Sequence, residues 1–99
     1  MDQSIAYPDP RAKRALKARG HQLKAILTLG RQGVSDAFIE EVSHCFDATD
    51  LIKVRIAADD AAETQSLAEA IAARVPCHFI QRVGRVVLFY HPQKDAPQV

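Results

Sequence analysis

The chain has 99 residues, 47% of them apolar and 25% charged, with a formal net charge of +1. That suffices for one domain with one modest core, and no apolar run approaches the ~20 residues a membrane helix needs. The near-neutral total conceals sorting: seven Lys/Arg face two Asp over residues 1–31, two face nine acids over 32–73, and four face one over 74–99.

In chain order, residues 1–10 read as a flexible segment, 11–92 as the domain and 93–99 as a flexible tail rich in Pro, Gln and Lys. Asp9 and Pro10 suit the N-cap and first position of a helix. That helix is predicted over 11–19, packing through Ala12, Ala15 and Leu16, with Arg11, Lys13, Arg14 and Lys17 in solvent. Gly20 is expected to end it as a C′ glycine. Ala25–Leu29 reads as a short buried strand. Ser35 caps a helix over Asp36–Ala48, where Phe38, Ile39, Val42, Cys45 and Phe46 form the core-facing stripe. Val34 and Ile39 are spaced for a hydrophobic staple.

Leu51–Ile56 alternates cleanly. Ile52, Val54 and Ile56 face one way; Lys53 and Arg55 face the other with Leu51, as on a sheet with one open side. Asp60 and Glu63 fit a capping box for a helix over 61–75 that buries Leu67, Ala70, Ile71 and either the stem of Arg74 or Val75. Pro76 ends it. Two strands follow, 77–83 and 85–90, with Gly84-Arg85 suited to a type II′ turn. The order α-β-α-β-α-β-β predicts an α/β two-layer sandwich, a four-stranded mixed sheet with helices. Right-handed crossovers place the second and third helices on one side of it.

Gly30-Arg31-Gln32-Gly33 joins the first strand to the second helix. Two glycines with Arg and Gln between them make a slim loop with one fixed positive charge. Its amides, and those of the following helix turn, can meet a phosphate, as in the GXXG loop of the KH domain. Few other chemistries are in view. His21, His44, His78 and His91 lack metal-ligand spacing. No nucleophile elbow or Walker pattern is visible, so neither catalysis nor a cofactor is expected. Cys45 and Cys77 read as reduced core residues. The N-terminus lacks a signal-peptide pattern, since Asp2, Pro8, Asp9 and Pro10 interrupt it, and a cytoplasmic protein is expected.

Three features converge on nucleic acid: the glycine-framed loop, the basic first helix, and Lys53 and Arg55 on an open strand face. An aromatic stacking platform is not part of the pattern. Across about residues 11–92 the chain resembles the bacterial YhbY family, the stand-alone form of the CRM (chloroplast RNA splicing and ribosome maturation) domain. The resemblance rests on His21-x-Leu23-Lys24, on Leu29 to Val34, on Leu51 to Ile56, and on Val83 to Pro92.

The resemblance implies a fold like the C-terminal domain of translation initiation factor three, with a KH-like GXXG loop. It implies RNA binding, and association with precursors of the large ribosomal subunit. Gly30 and Gly33 would frame the loop, and Arg31 and Gln32 would face RNA. The family often has Lys where Arg31 stands; Arg keeps the charge and adds a planar fork. Lys13, Lys17, Lys24, Lys53 and Arg55 would extend the basic track. No membrane and no small-molecule substrate are expected. The alternative is a protein–protein adaptor on the ribosome or its precursors, using Glu40, Glu41 and Asp47 of the acidic middle segment.

Overall fold

Seven elements form in the computed structural model, which describes residues 8–92: α1 (Pro10–Gly20), β1 (Ala25–Leu29), α2 (Asp36–Ala48), β2 (Leu51–Ile56), α3 (Ala61–Arg74), β3 (His78–Val83) and β4 (Val86–Tyr90). The expectations for residues 1–7 and 93–99 lie outside the described residues. The predicted caps are in place. Asp9 accepts from the Ala12 amide, Ser35 from Phe38 and Asp60 from Glu63. Glu63 closes its box through the Asp59 amide at 2.8 Å, one residue before the cap. Gly84 sits at φ 62 while Arg85 stays at negative φ, so the two-residue hairpin turn is type II′.

The sheet runs β1-β2-β4-β3, with β1 parallel to β2 and β4 antiparallel to both its neighbours. Strands β1, β2 and β3 thus all point the same way. The crossovers through α2 and α3 leave both helices on one face, where the main core gathers. It joins Phe38, Val42 and Phe46 of α2, Ala68 and Ile71 of α3, and Ile52, Val54, Ile56, Val87 and Phe89 of the sheet. The stripe of α3 is wider than the expected one, with Leu67, Ile71 and Val75 against the core as expected. Thr64, Ala68 and Ile71 are buried, with Val75 just beyond, while Leu67 and Ala70 are only half-buried. Thr64 is admitted because its hydroxyl donates to the Asp60 carbonyl at 2.9 Å, so no polar group is left unpaired.

The second face is not open as β2's alternation had implied. Helix α1 lies on it, and Leu16 packs with Leu51, Ile80 and Leu88 in a smaller core. Ala12 and Ala15 are exposed; the contact stripe is Leu16 and Gly20, flanked by the half-buried Lys13 and Lys17. Long basic side chains can lay their stems along a sheet in this way. Gly20 does not stop the helix either. It lies inside it, buried, and His21 is the C-cap in right-handed conformation. A Cβ on Gly20 would come within 2.8 Å of a Leu88 methyl, so glycine lets the last turn approach β4.

Cys45 and Cys77 are both free thiols packed against the main core. Burial pushes the Cys77 thiol up to about 12, and burial, then Glu41, raises Cys45. The thiolate is the reactive form, so iodoacetamide at pH 8 is expected to leave Cys77 unmodified in the native protein. Mass spectrometry should show it fully alkylated once denaturant exposes it.

Candidate functional site

Gly30 to Gly33 form a β-turn closed by the Gly33 amide on the Gly30 carbonyl at 3.2 Å. Gly33 sits at φ 90, where a side chain would be strained. Arg31 and Gln32 are both exposed, and the Gln32 amide folds back over Gly30. The turn stands at the end of the sheet where three segments meet. The Ala57 amide donates to Leu29, and the Ile56 amide to Arg85. The β2–α3 loop and the β3–β4 turn are therefore its neighbours.

Arg85, absent from the sequence-predicted set, organises this end. Its guanidinium donates to the Ala58 and Asp59 carbonyls, each at 2.7 Å. With Glu63 on the Asp59 amide, the backbone around Asp59 is held from both sides. The Asp59 carboxylate then accepts from Arg31 at 2.7 Å, with both side chains largely exposed. Hydrogen bonding to Asp59 keeps the Arg31 guanidinium above its ordinary pKa. The loop's cation thus already has a partner, and an exposed one that is readily displaced. Residue 85 follows the turn glycine, and nothing in the local spacing signals that its side chain reaches the β2–α3 loop 26 residues away.

The N-terminus of α2 is not an empty anion seat. The Ser35 hydroxyl caps it, and Asp36 in its first turn pairs with Arg74.

The other predicted cations are spread over the α1 side of the sheet. Arg55 is exposed on β2 and stands between Thr28 and Val86, and Val86 stands opposite Val83. This row crosses all four strands at the end that α1 leaves uncovered. Lys17 lies near Arg55's face, beside a hollow that also borders Lys53. Lys24 is exposed at the foot of β1, roughly 20 Å along the strand from Gly30 at ~3.3 Å per residue. Lys13 borders a different hollow, near Phe79 and Arg82.

Lys53 departs from its expected role. Its ammonium donates to the Gly20 and Leu23 carbonyls, each at 3.1 Å, and so caps the C-terminal end of α1. Replacing it with Met should cost about 1–2 kcal/mol of stability and change RNA affinity little. Thermal unfolding and fluorescence anisotropy would separate the two effects.

Of the acidic residues, Asp50 accepts from Arg19 through both carboxylate oxygens, at 2.7 and 3.2 Å, while Asp59 accepts from Arg31 and Asp36 from Arg74 through one oxygen each. Glu40, Glu41 and Asp47 stay exposed on α2. No helix among the described residues is long and apolar enough to cross a membrane.

Residues 9–91 match the profile of the CRS1 / YhbY (CRM) domain. The chain belongs to this family. Among CRM relatives, the Bacillus subtilis (strain 168) protein named "Probable RNA-binding protein YqeI" is 28% identical over 87 residues, 88% of this chain and 91% of YqeI. A Haemophilus influenzae protein named "RNA-binding protein" is 27% identical, covering 85% of each chain. The maize protein "CRS2-associated factor 1, chloroplastic" matches 63% of this chain with only 9% of its own length, at 31% identity. The CRM fold is seen again in the solution structure of SAV1595 from Staphylococcus aureus. Its TM-score is 0.81 at 20% identity, over 94% of this chain and 97% of that one.

Proposed function

We propose that this CRM domain is a non-catalytic RNA-binding protein that acts in the cytoplasm on ribosomal RNA in precursors of the large subunit, assisting their assembly. The observation that carries the reading is the exposed Arg31 on a glycine-framed turn, at the end of a sheet whose uncovered row holds Arg55. Relatives that span nearly the same length and are named RNA-binding proteins support it. The adaptor reading keeps Glu40, Glu41 and Asp47 exposed on α2, but three other aspartates of the acidic segment are matched to arginines within the chain, which leaves it a smaller acidic surface.

Two measurements test the reading. Affinity for a ribosomal RNA fragment should fall linearly with salt on a log–log plot, because phosphate contacts release counterions. In sucrose gradients the protein should travel with large-subunit precursors. Salt-insensitive binding, or a protein that stays at the top of the gradient, overturns it. Loss of co-sedimentation on reversing Glu40 and Glu41, with RNA affinity intact, would instead establish the adaptor.

Asp59 sets a further expectation. Its carboxylate competes with phosphate for Arg31, so Asp59→Asn should tighten RNA binding about two- to fivefold. Anisotropy at matched salt would show it.

A further inference from the structure

Between the last turn of α1 and the sheet lies a hollow of about 220 Å³. Its floor is apolar: Val83, Val86 and Leu88, with Gln81 beside them. Its rim carries Lys17, and the Lys53 ammonium is already committed to the helix carbonyls. Val83 is 63% exposed. At the open end, Val86 stands directly opposite Arg55, one strand or about 4.8 Å away. From Arg55 the uncovered row continues to Thr28, two residues before the Gly30 turn. The hollow is thus one end of a strip that leads through Arg55 to Arg31.

We propose that this hollow takes the base of one unpaired nucleotide, with Lys17 and Arg55 on the flanking phosphates. The inference rests on the RNA-binding reading and adds that the bound RNA presents a single-stranded segment. Three considerations favour that occupant. The hollow is smaller than the usual pocket for a drug-sized ligand, so it suits one planar ring. An aliphatic floor with a cationic rim complements a base joined to phosphates. A concave site beneath a helix end admits a base splayed out of a strand, whereas a paired base in A-form RNA stays stacked in its helix. Gln81 has both a donor and an acceptor to offer a base edge.

The test is a methyl-detected NMR titration of the full chain with a short single-stranded RNA and, separately, with a duplex of the same sequence. Ring-current shifts at the methyls of Val83, Val86 and Leu88, produced by the single strand and not by the duplex, are expected. If those methyls stay unmoved while the backbone amides of Arg31 and Arg55 shift in a parallel amide-detected titration, the hollow is not the base site, and the RNA-binding reading survives. If neither RNA moves any signal, both readings fall. Val83→Ser gives a second arm, since this exposed position tolerates substitution. It should weaken single-strand binding about three- to tenfold and leave the salt dependence as it was. An unchanged affinity overturns the proposal.

Discussion

Arg31→Glu is expected to lower RNA affinity about tenfold at ~150 mM salt and to make the log–log salt slope shallower by about 1. The residue is exposed and sits on a turn whose shape depends on Gly33 rather than on its own side chain. Its carboxylate partner is equally exposed, so the variant should fold with an unchanged melting temperature. The new glutamate would stand beside Asp59 and Glu63, and the end of the sheet would turn from amphoteric to acidic. Combining the change with Asp59→Asn should recover part of the lost affinity, because one of the repelling carboxylates is gone. Anisotropy across a salt series for the single and double variants checks each point. Parental affinity for Arg31→Glu would remove the turn from the binding surface and leave Lys17 and Arg55 to account for it.

Phe89→Ala should be the most damaging single change to the fold. Phe89 is fully buried at the centre of the sheet, opposite both Ile52 and Phe79, and joins the main core under α2 and α3. Its ring lies 6.3 Å from that of Phe79. Truncating such a phenylalanine costs about 3–5 kcal/mol, transfer and cavity effects together. Small domains have roughly 5–15 kcal/mol in total, so the melting temperature should drop by about 20 °C. Leu88→Ala on the opposite face should cost less, because the core there is four buried residues beside an existing hollow. Circular dichroism melts of the two variants, run together, would rank the two faces.

Those faces also separate what local pattern reveals from what it hides. The glycine-framed turn, the strand alternation of Leu51–Ile56 and the three caps were legible because each depends on residues within a few positions of one another. Two members of the α3 stripe were missed for a physical reason. Thr64 and Ala68 are small enough for close approach and are fully buried, while the bulkier Leu67 packs half-buried against the same core. A polarity pattern weighs size and apolarity, and it does not register a threonine whose hydroxyl is satisfied by its own helix.

The basic track was legible as a set of charges and not as an arrangement. Lys53 and Arg55 alternate together on β2 and look equivalent in the chain. Helix α1 makes them different, because its end reaches Lys53 and stops short of Arg55.

The sequence by itself determined the order and type of the seven elements, the three helix N-caps, the hairpin turn and the family of the chain. All of these are written in short-range spacing, where a few neighbouring side chains decide the backbone. Only the tertiary structure decided that α1 covers the second face and that Lys53 serves its end. The same holds for Asp59, placed against Arg31 by Arg85. Those partners stand 26 to 33 residues apart. Contacts at that range form only after the sheet has set which strand ends meet, and no local period encodes them.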